Sequence, residues 1–188
     1  MDKRIVLASS SPRRIELLKR EGLQITVIPA DIDESLPDDI GPEEAVKSLA
    51  LKKASYVANT VSTDVLSSVP IIAADTVVYL NSIIGKPRSR EDALRILMDL
   101  SGKEHYVYTG VAIITSKQKV FCEETRVVFK DYSPADLEDY LSTEEPYDKA
   151  GAYAIQGYFS RFIDHIDGDY DNVVGLPVTR LLQELQNL

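Results

Sequence analysis

A single cysteine in 188 residues leaves Cys122 with no internal disulfide partner, and its strand-like surroundings mark it as a reduced core thiol. Long apolar runs are also missing. No segment approaches the length of a membrane span, and Lys3 and Arg4 are followed by only four apolar residues, too few for the apolar region of a signal peptide. A cytoplasmic protein with no membrane attachment is expected. Positive charge is short as well. Twenty-one Lys and Arg against 30 Asp and Glu give a net charge of −9, which argues against nonspecific binding to nucleic acid or to an anionic membrane. A polyphosphate ligand stays allowed if the few cations gather in one cleft.

Several catalytic signatures are absent. Lys86 follows Gly85, but Leu80 stands where a phosphate-binding Walker loop needs glycine and no Ser or Thr follows the lysine. There is no dinucleotide-type glycine fingerprint and no Gly-x-Ser-x-Gly. His105 and His165 have no partner at zinc spacing and read as strand surface or core residues. Hydrolysis through an activated water is the simpler mechanism left. Internal repeats, low-complexity tracts and linkers are missing too, so residues 1–188 read as one domain long enough to bury a substantial core.

What is present alternates between strands and helices. An apolar strand at 5–8 leads through three serines into a helix with Ser11 as N-cap and Pro12 as its first residue, ending at Gly22. A second strand is expected at 24–30, followed by an acidic loop with Asp31, Asp33 and Glu34. A long helix from Pro42 carries Val46, Leu49, Ala50, Ala54 and Val57 on one stripe. After a polar loop at 59–68 comes the most apolar strand, 71–80, then a tight turn at Asn81 and Ser82 and a strand at 83–84. A capped helix from Ser89 precedes two long strands at 105–115 and 119–130 that form a hairpin. A helix at 134–141, a loop-rich segment at 144–157, a strand at 162–166 and a last helix at 177–185 follow. That order predicts a mixed α/β fold, helices on a twisted sheet.

Four features carry chemistry. Ser9, Ser10 and Ser11 precede a helix start, whose unpaired N–H groups favour anions, and Arg13 and Arg14 sit in its first turn although they oppose the helix dipole at a cost of roughly 0.3 to 1 kcal/mol each. The alternatives are a phosphate site or a capped helix with two solvated arginines. Lys53 falls in the middle of the apolar stripe, either snorkelling or held for a ligand. Asp75 interrupts an apolar strand, where an unpaired acid is expensive; a strand end, a cleft or a cation partner is expected, and general base or metal ligand are its natural roles. Finally, oxygen ligands in the number offered by Asp31, Asp33 and Glu34 suit magnesium or manganese, although acidic runs are usually solvated.

Together these segments resemble the Maf nucleotide pyrophosphatases. The resemblance rests on Ala-Ser-Ser-Ser-Pro-Arg-Arg at 8–14, Asp33-Glu34, Leu-Lys-Lys-Ala at 51–54, Ala-Ala-Asp-Thr-Val-Val at 73–78, Gly85-Lys86-Pro87, Asp-Lys-Ala-Gly-Ala-Tyr-Ala-Ile-Gln-Gly at 148–157 and Val-Val-Gly-Leu-Pro at 173–177. Seven motifs in order cover essentially the whole chain. The resemblance implies an elongated, twisted mixed sheet flanked by helices, with two lobes around a central cleft as in inosine triphosphate pyrophosphatases. It also implies a homodimer and hydrolysis of nucleoside triphosphates to monophosphate and pyrophosphate with a divalent cation, Mg or Mn. The 148–157 segment is similar to the branch acting on dTTP and UTP. The implied catalytic residues are Asp75, Lys53, Lys86 and Glu34, with Glu34 and Asp75 as metal ligands; Ser9, Arg13, Arg14, Thr76, Lys149 and Gln156 are implied to bind substrate. Of these, Arg13, Thr76 and Gln156 bear on specificity, and the Gln156 amide suits the carbonyl and N–H edge of a pyrimidine. The family's link to septum formation keeps a nucleotide-binding regulator as the alternative.

Overall fold

A computed structural model describes residues 4–37, 39–62 and 69–188. Seven strands form one mixed sheet: β1 (Arg4–Leu7), β2 (Gln24–Val27), β3 (Ile71–Leu80), β4 (Ser82–Ile84), β5 (Glu104–Ile114), β6 (Gln118–Phe129) and β7 (Ile163–Asp167). Their order is β2-β1-β3-β5-β6-β7, with β4 also on β3. β1 runs parallel to β2 and β3, and the remaining pairs are antiparallel. The helices are α1 (Pro12–Arg20), α2 (Pro42–Ala58), α3 (Arg90–Leu100), α4 (Glu138–Leu141), α5 (Tyr170–Val174) and α6 (Val178–Gln186), and short 3₁₀ turns surround α4 between β6 and β7.

The expected elements are found, with four differences. β2 stops at Val27: the Ile28 N–H still reaches the Leu7 carbonyl, but Pro29 has no N–H to continue the ladder. Residues 134–141 split into a 3₁₀ turn and the one-turn α4, and 3₁₀ turns also occupy the 144–157 segment. The short α5, capped by Asp169, precedes the last helix. Of the polar loop at 59–68, residues 63–68 lie outside the described residues. Cys122 is half-buried on β6, its thiol pushed up to about 12 by burial, so it is an inert group.

β3 positions the site. β1 pairs only with Ile71 and Ile72, and β4 only with Val78, Tyr79 and Leu80, both on the same edge of β3, while β5 pairs along the opposite edge from Ile71 to Tyr79. Between β1 and β4 that edge stays open over residues 73–77. Strand alternation then sends Asp75 to one face, with Ile71 and Ala73, and Thr76 to the other, with Ile72, Ala74 and Val78. The first face is covered by α2, whose Ala50, Ala54 and Val57 pack on Val6, Ala8 and Ala112. The second carries the larger core, with Leu17 and Leu18 of α1, Leu97 and Leu100 of α3 and Leu181 of α6. Burial of each such Val or Leu is worth about 1.5 to 3 kcal/mol, which anchors α2 firmly enough to carry one charged side chain inward. Among the described residues no helix is long and apolar enough to cross a membrane.

Candidate active site

The open stretch of β3 lies in a cleft of about 670 Å³. Every residue expected from the sequence to act in catalysis or binding lines it: Ser9, Arg13, Arg14, Glu34, Lys53, Asp75, Thr76, Lys86, Lys149 and Gln156. Each comes from the end of an element or from a loop, except Lys53 within α2 and the pair Asp75 and Thr76 within β3.

Leaving β1, the chain is held by the Ala8 N–H on the Ile72 carbonyl at 2.8 Å and turns into α1. Ser11 caps the helix, accepting the Arg14 N–H at 3.5 Å. Ser9 Oγ accepts the Ser11 N–H at 3.2 Å and Arg14 Nη1 at 3.3 Å. Both of its lone pairs are thereby used, so what Ser9 offers a ligand is its O–H, a donor suited to a phosphate oxygen. Arg14 turns inward. Its Nε donates to the Gly175 carbonyl at 2.8 Å and its Nη2 to Thr76 Oγ1 at 3.1 Å, and burial lowers its pKa against the opposing pull of Asp75. Arg13 points the other way, pairing with Asp148 at 3.2 Å.

Asp75 is the fifth residue of a ten-residue strand, not at a strand end. Its exposure comes from the gap in the edge of β3, and its carboxylate is 2.6 Å from Lys53 Nζ. Lys53 therefore does not snorkel alone. Its ammonium also meets Glu34 at 2.8 Å, so one cation bridges two carboxylates from different parts of the chain. The side chains of Lys53 and Asp75 are each 12% exposed, whereas Glu34 is open to solvent. Of the acidic loop, only Glu34 lines the cleft. Asp33 bonds back to the Ser35 backbone and hydroxyl, which lower its pKa, and serves a local turn.

Across the cleft, Lys149 Nζ donates to the Glu145 carbonyl at 2.6 Å and to Asp148 at 2.5 Å. Burial pushes the Asp148 carboxyl up, but Lys149 and Arg13 outweigh it and hold the pKa below the usual range. The Gly151 N–H bonds the Gly85 carbonyl at 3.1 Å, tying this segment to the loop of Lys86. Lys86 and Gln156 are exposed in the cleft.

Three buried polar residues behind the cleft were not singled out by the sequence: Thr109, Thr125 and Asn172. Asn172 donates to the Val107 carbonyl and to Thr125, and Thr109 bonds both Thr76 and the Asn172 carbonyl. The available signal was a threonine and a glycine interrupting an apolar strand at 109 and 110.

A family model described as Maf-like protein matches residues 4–188. The dTTP/UTP pyrophosphatase of Geobacillus sp. (strain WCH70) is 46% identical over 188 residues, covering 99% of this chain and 98% of that one. That of Caldicellulosiruptor bescii is 47% identical over 190 residues, covering 99% and 95%. In fold, the chain is similar to a HAM1 protein from Coxiella burnetii, with a TM-score of 0.56, 17% identity and 98% and 99% of the two chains covered. The Staphylococcus aureus Ham1 protein gives 0.52 at 16% identity, covering 98% of each.

Proposed function

The chain belongs to the Maf family, and we propose that it is a housecleaning pyrophosphatase that hydrolyses dTTP and UTP to the nucleoside monophosphate and pyrophosphate. One observation carries this reading: the start of α1 with its two arginines, three lysines and three carboxylates converge in one cleft, in a chain similar over its whole length to proteins named for that activity. Water attacks the α-phosphorus, the bond to the β-phosphate oxygen breaks, and pyrophosphate leaves. Asp75 takes the proton of the water, since Lys53 holds its Oδ1 in place. The Ser9 hydroxyl, Arg13, Lys53 and Lys86 bind and neutralise phosphate oxygens as charge moves to the leaving group. Arg14 commits three of its five N–H donors to Gly175, Ser9 and Thr76, which keeps Ser9 and Thr76 in place and leaves two for substrate.

Among the described residues no group of three or more His, Cys, Asp or Glu is placed to hold a metal by itself. Glu34 and Asp75 are nevertheless a fitting donor set for Mg or Mn, a hard cation commonly bound by one or two carboxylates plus substrate phosphates and water. Those two residues would hold it, and bound there it supplies charge neutralisation. A homodimer, a cytoplasmic location and no nucleic-acid partner belong to the same reading.

Incubation with UTP or dTTP and Mg or Mn in ¹⁸O-water tests it. Pyrophosphate release with the label in the monophosphate is expected, and a chelator should abolish it. Label in pyrophosphate would overturn the site of attack, and nucleotide binding without turnover would favour the regulator.

A further inference from the structure

Thr109 on β5 is directly opposite Thr76 on β3 and wholly buried. Thr76 Oγ1 is 2.9 Å from Thr109 Oγ1, which is 3.0 Å from the Asn172 carbonyl, and the Gly175 N–H reaches that same carbonyl at 3.0 Å. The Gly175 carbonyl takes Arg14 Nε, and Arg14 Nη2 returns to Thr76. The bonds close a ring, and the ring decides where each proton goes. A carbonyl only accepts, so Thr109 donates to Asn172; its oxygen then accepts from Thr76, and Thr76 accepts from the guanidinium. The other outlet for the Thr76 proton is the Gly175 carbonyl at 3.5 Å, long for an O–H donor and already engaged by Arg14 at 2.8 Å. Thr76 thus keeps one lone pair for the cleft. There it is an acceptor and not a donor.

We infer that Thr109 is a positioning residue for base selection. By drawing the Thr76 proton inward, it makes the site accept the ring N–H of uracil or thymine and refuse the bare ring nitrogen of cytosine, which needs a donor at the same place. Thr109 acts without touching substrate. The inference rests on the pyrimidine triphosphate reading above.

The test compares wild type, Thr109→Val and Thr109→Ser for kcat/KM on UTP and CTP, with UMP and CMP affinities measured alongside by calorimetry. Valine keeps the shape but cannot accept, so the Thr76 proton turns to the cleft. The UTP-over-CTP ratio should fall at least about fivefold in Thr109→Val, with CTP gaining as UTP loses, and stay within about twofold in Thr109→Ser. Should Thr109→Val fail to fold, the smaller Thr109→Ala removes the same acceptor. Equal losses on UTP and CTP, with the UMP-to-CMP affinity ratio unchanged, would mean that Thr109 only packs and would overturn the inference. Absence of turnover in wild type would count against the pyrophosphatase reading instead, and the monophosphate affinities would still decide on Thr109.

Discussion

Gly110 on β5 and Val46 on α2 are in such close apposition that a Cβ on the glycine would lie 2.3 Å from the Val46 carbonyl oxygen. Gly110 is also the residue paired with Asp75 across the sheet. The missing side chain lets α2 rest on the backbone of the sheet beside Asp75, and Lys53, two turns further along the helix, is delivered to the carboxylate. Helix approach and ion pair are one arrangement.

Gly110→Ala should therefore damage both stability and activity. Overpacking of this kind costs about 1 to 3 kcal/mol, and moving the α2 backbone far enough to relieve a 2.3 Å contact weakens the contact of Lys53 with Asp75. A lower melting temperature with a lower kcat is expected. Full activity in a stable Gly110→Ala protein would show that the close approach is not needed.

Asp75→Asn keeps size and shape but cannot take the proton of the attacking water. The variant should fold, bind nucleotide and lose about 10²- to 10⁴-fold in turnover. Near-normal kcat in single-turnover experiments would remove Asp75 from the role of base.

Lys53→Met separates packing from charge. A lysine that merely snorkelled could be replaced at no loss, but here the change leaves Asp75 nearly buried without its cation. Removing one member of such a pair should cost about 3 to 5 kcal/mol, whereas Lys53→Met combined with Asp75→Leu should recover most of the stability and none of the activity. Urea titrations of the single and double variants make the comparison, and additive losses would refute the pairing.

His105 gives the fold an acid limit. It is wholly buried, its Nε2 2.7 Å from the Tyr153 hydroxyl, and burial lowers its pKa to about 3 from the ordinary 6.5. Between those values the unfolded chain binds a proton that the folded protein refuses, so stability present above pH 6.5 is lost as pH falls toward 3. From pH 7 to pH 5 this one group should remove about 2 kcal/mol. Denaturant melts of wild type and His105→Gln at the two pH values should show the wild type losing more by that amount.

Much of this site was legible because chemistry stood out against pattern. Lys53 in an apolar stripe, Asp75 in an apolar strand and arginines at a helix start each violate a local preference, and the fold brings them into one cleft. Sequence could not show that Arg14 turns inward onto Gly175 and Thr76 while Arg13 pairs with Asp148, since neighbouring residues on one helical turn differ only in direction. Nor could it show that Asp75 owes its access to a gap between β1 and β4, because strand pairing is set by residues distant in the chain. Thr109 and Asn172 were hidden for another reason. A buried threonine or asparagine breaks no pattern strongly, and its importance lies in the partners that tertiary structure supplies.

Base choice is where these observations meet. The phosphate ligands are blind to the base, so UTP and dTTP should exceed CTP by roughly tenfold or more only if the base edge meets groups of fixed polarity. Gln156 is a weak judge by itself. It is exposed, and its amide can present either its oxygen or its nitrogen by rotating through a half-turn, which lets it serve uracil and cytosine alike. Thr76 cannot adapt in this way, because its proton is committed to Thr109. Gln156→Ala should then raise KM for UTP and CTP together, by about three- to tenfold for one lost hydrogen bond, and move their ratio by less than about threefold. Thr76→Val should lower the ratio strongly and spare CTP more than UTP. Measured kcat/KM values for UTP, dTTP, CTP and GTP in the three proteins decide the matter: a collapse of the ratio in Gln156→Ala with none in Thr76→Val would transfer the reading of the base from the threonine to the glutamine.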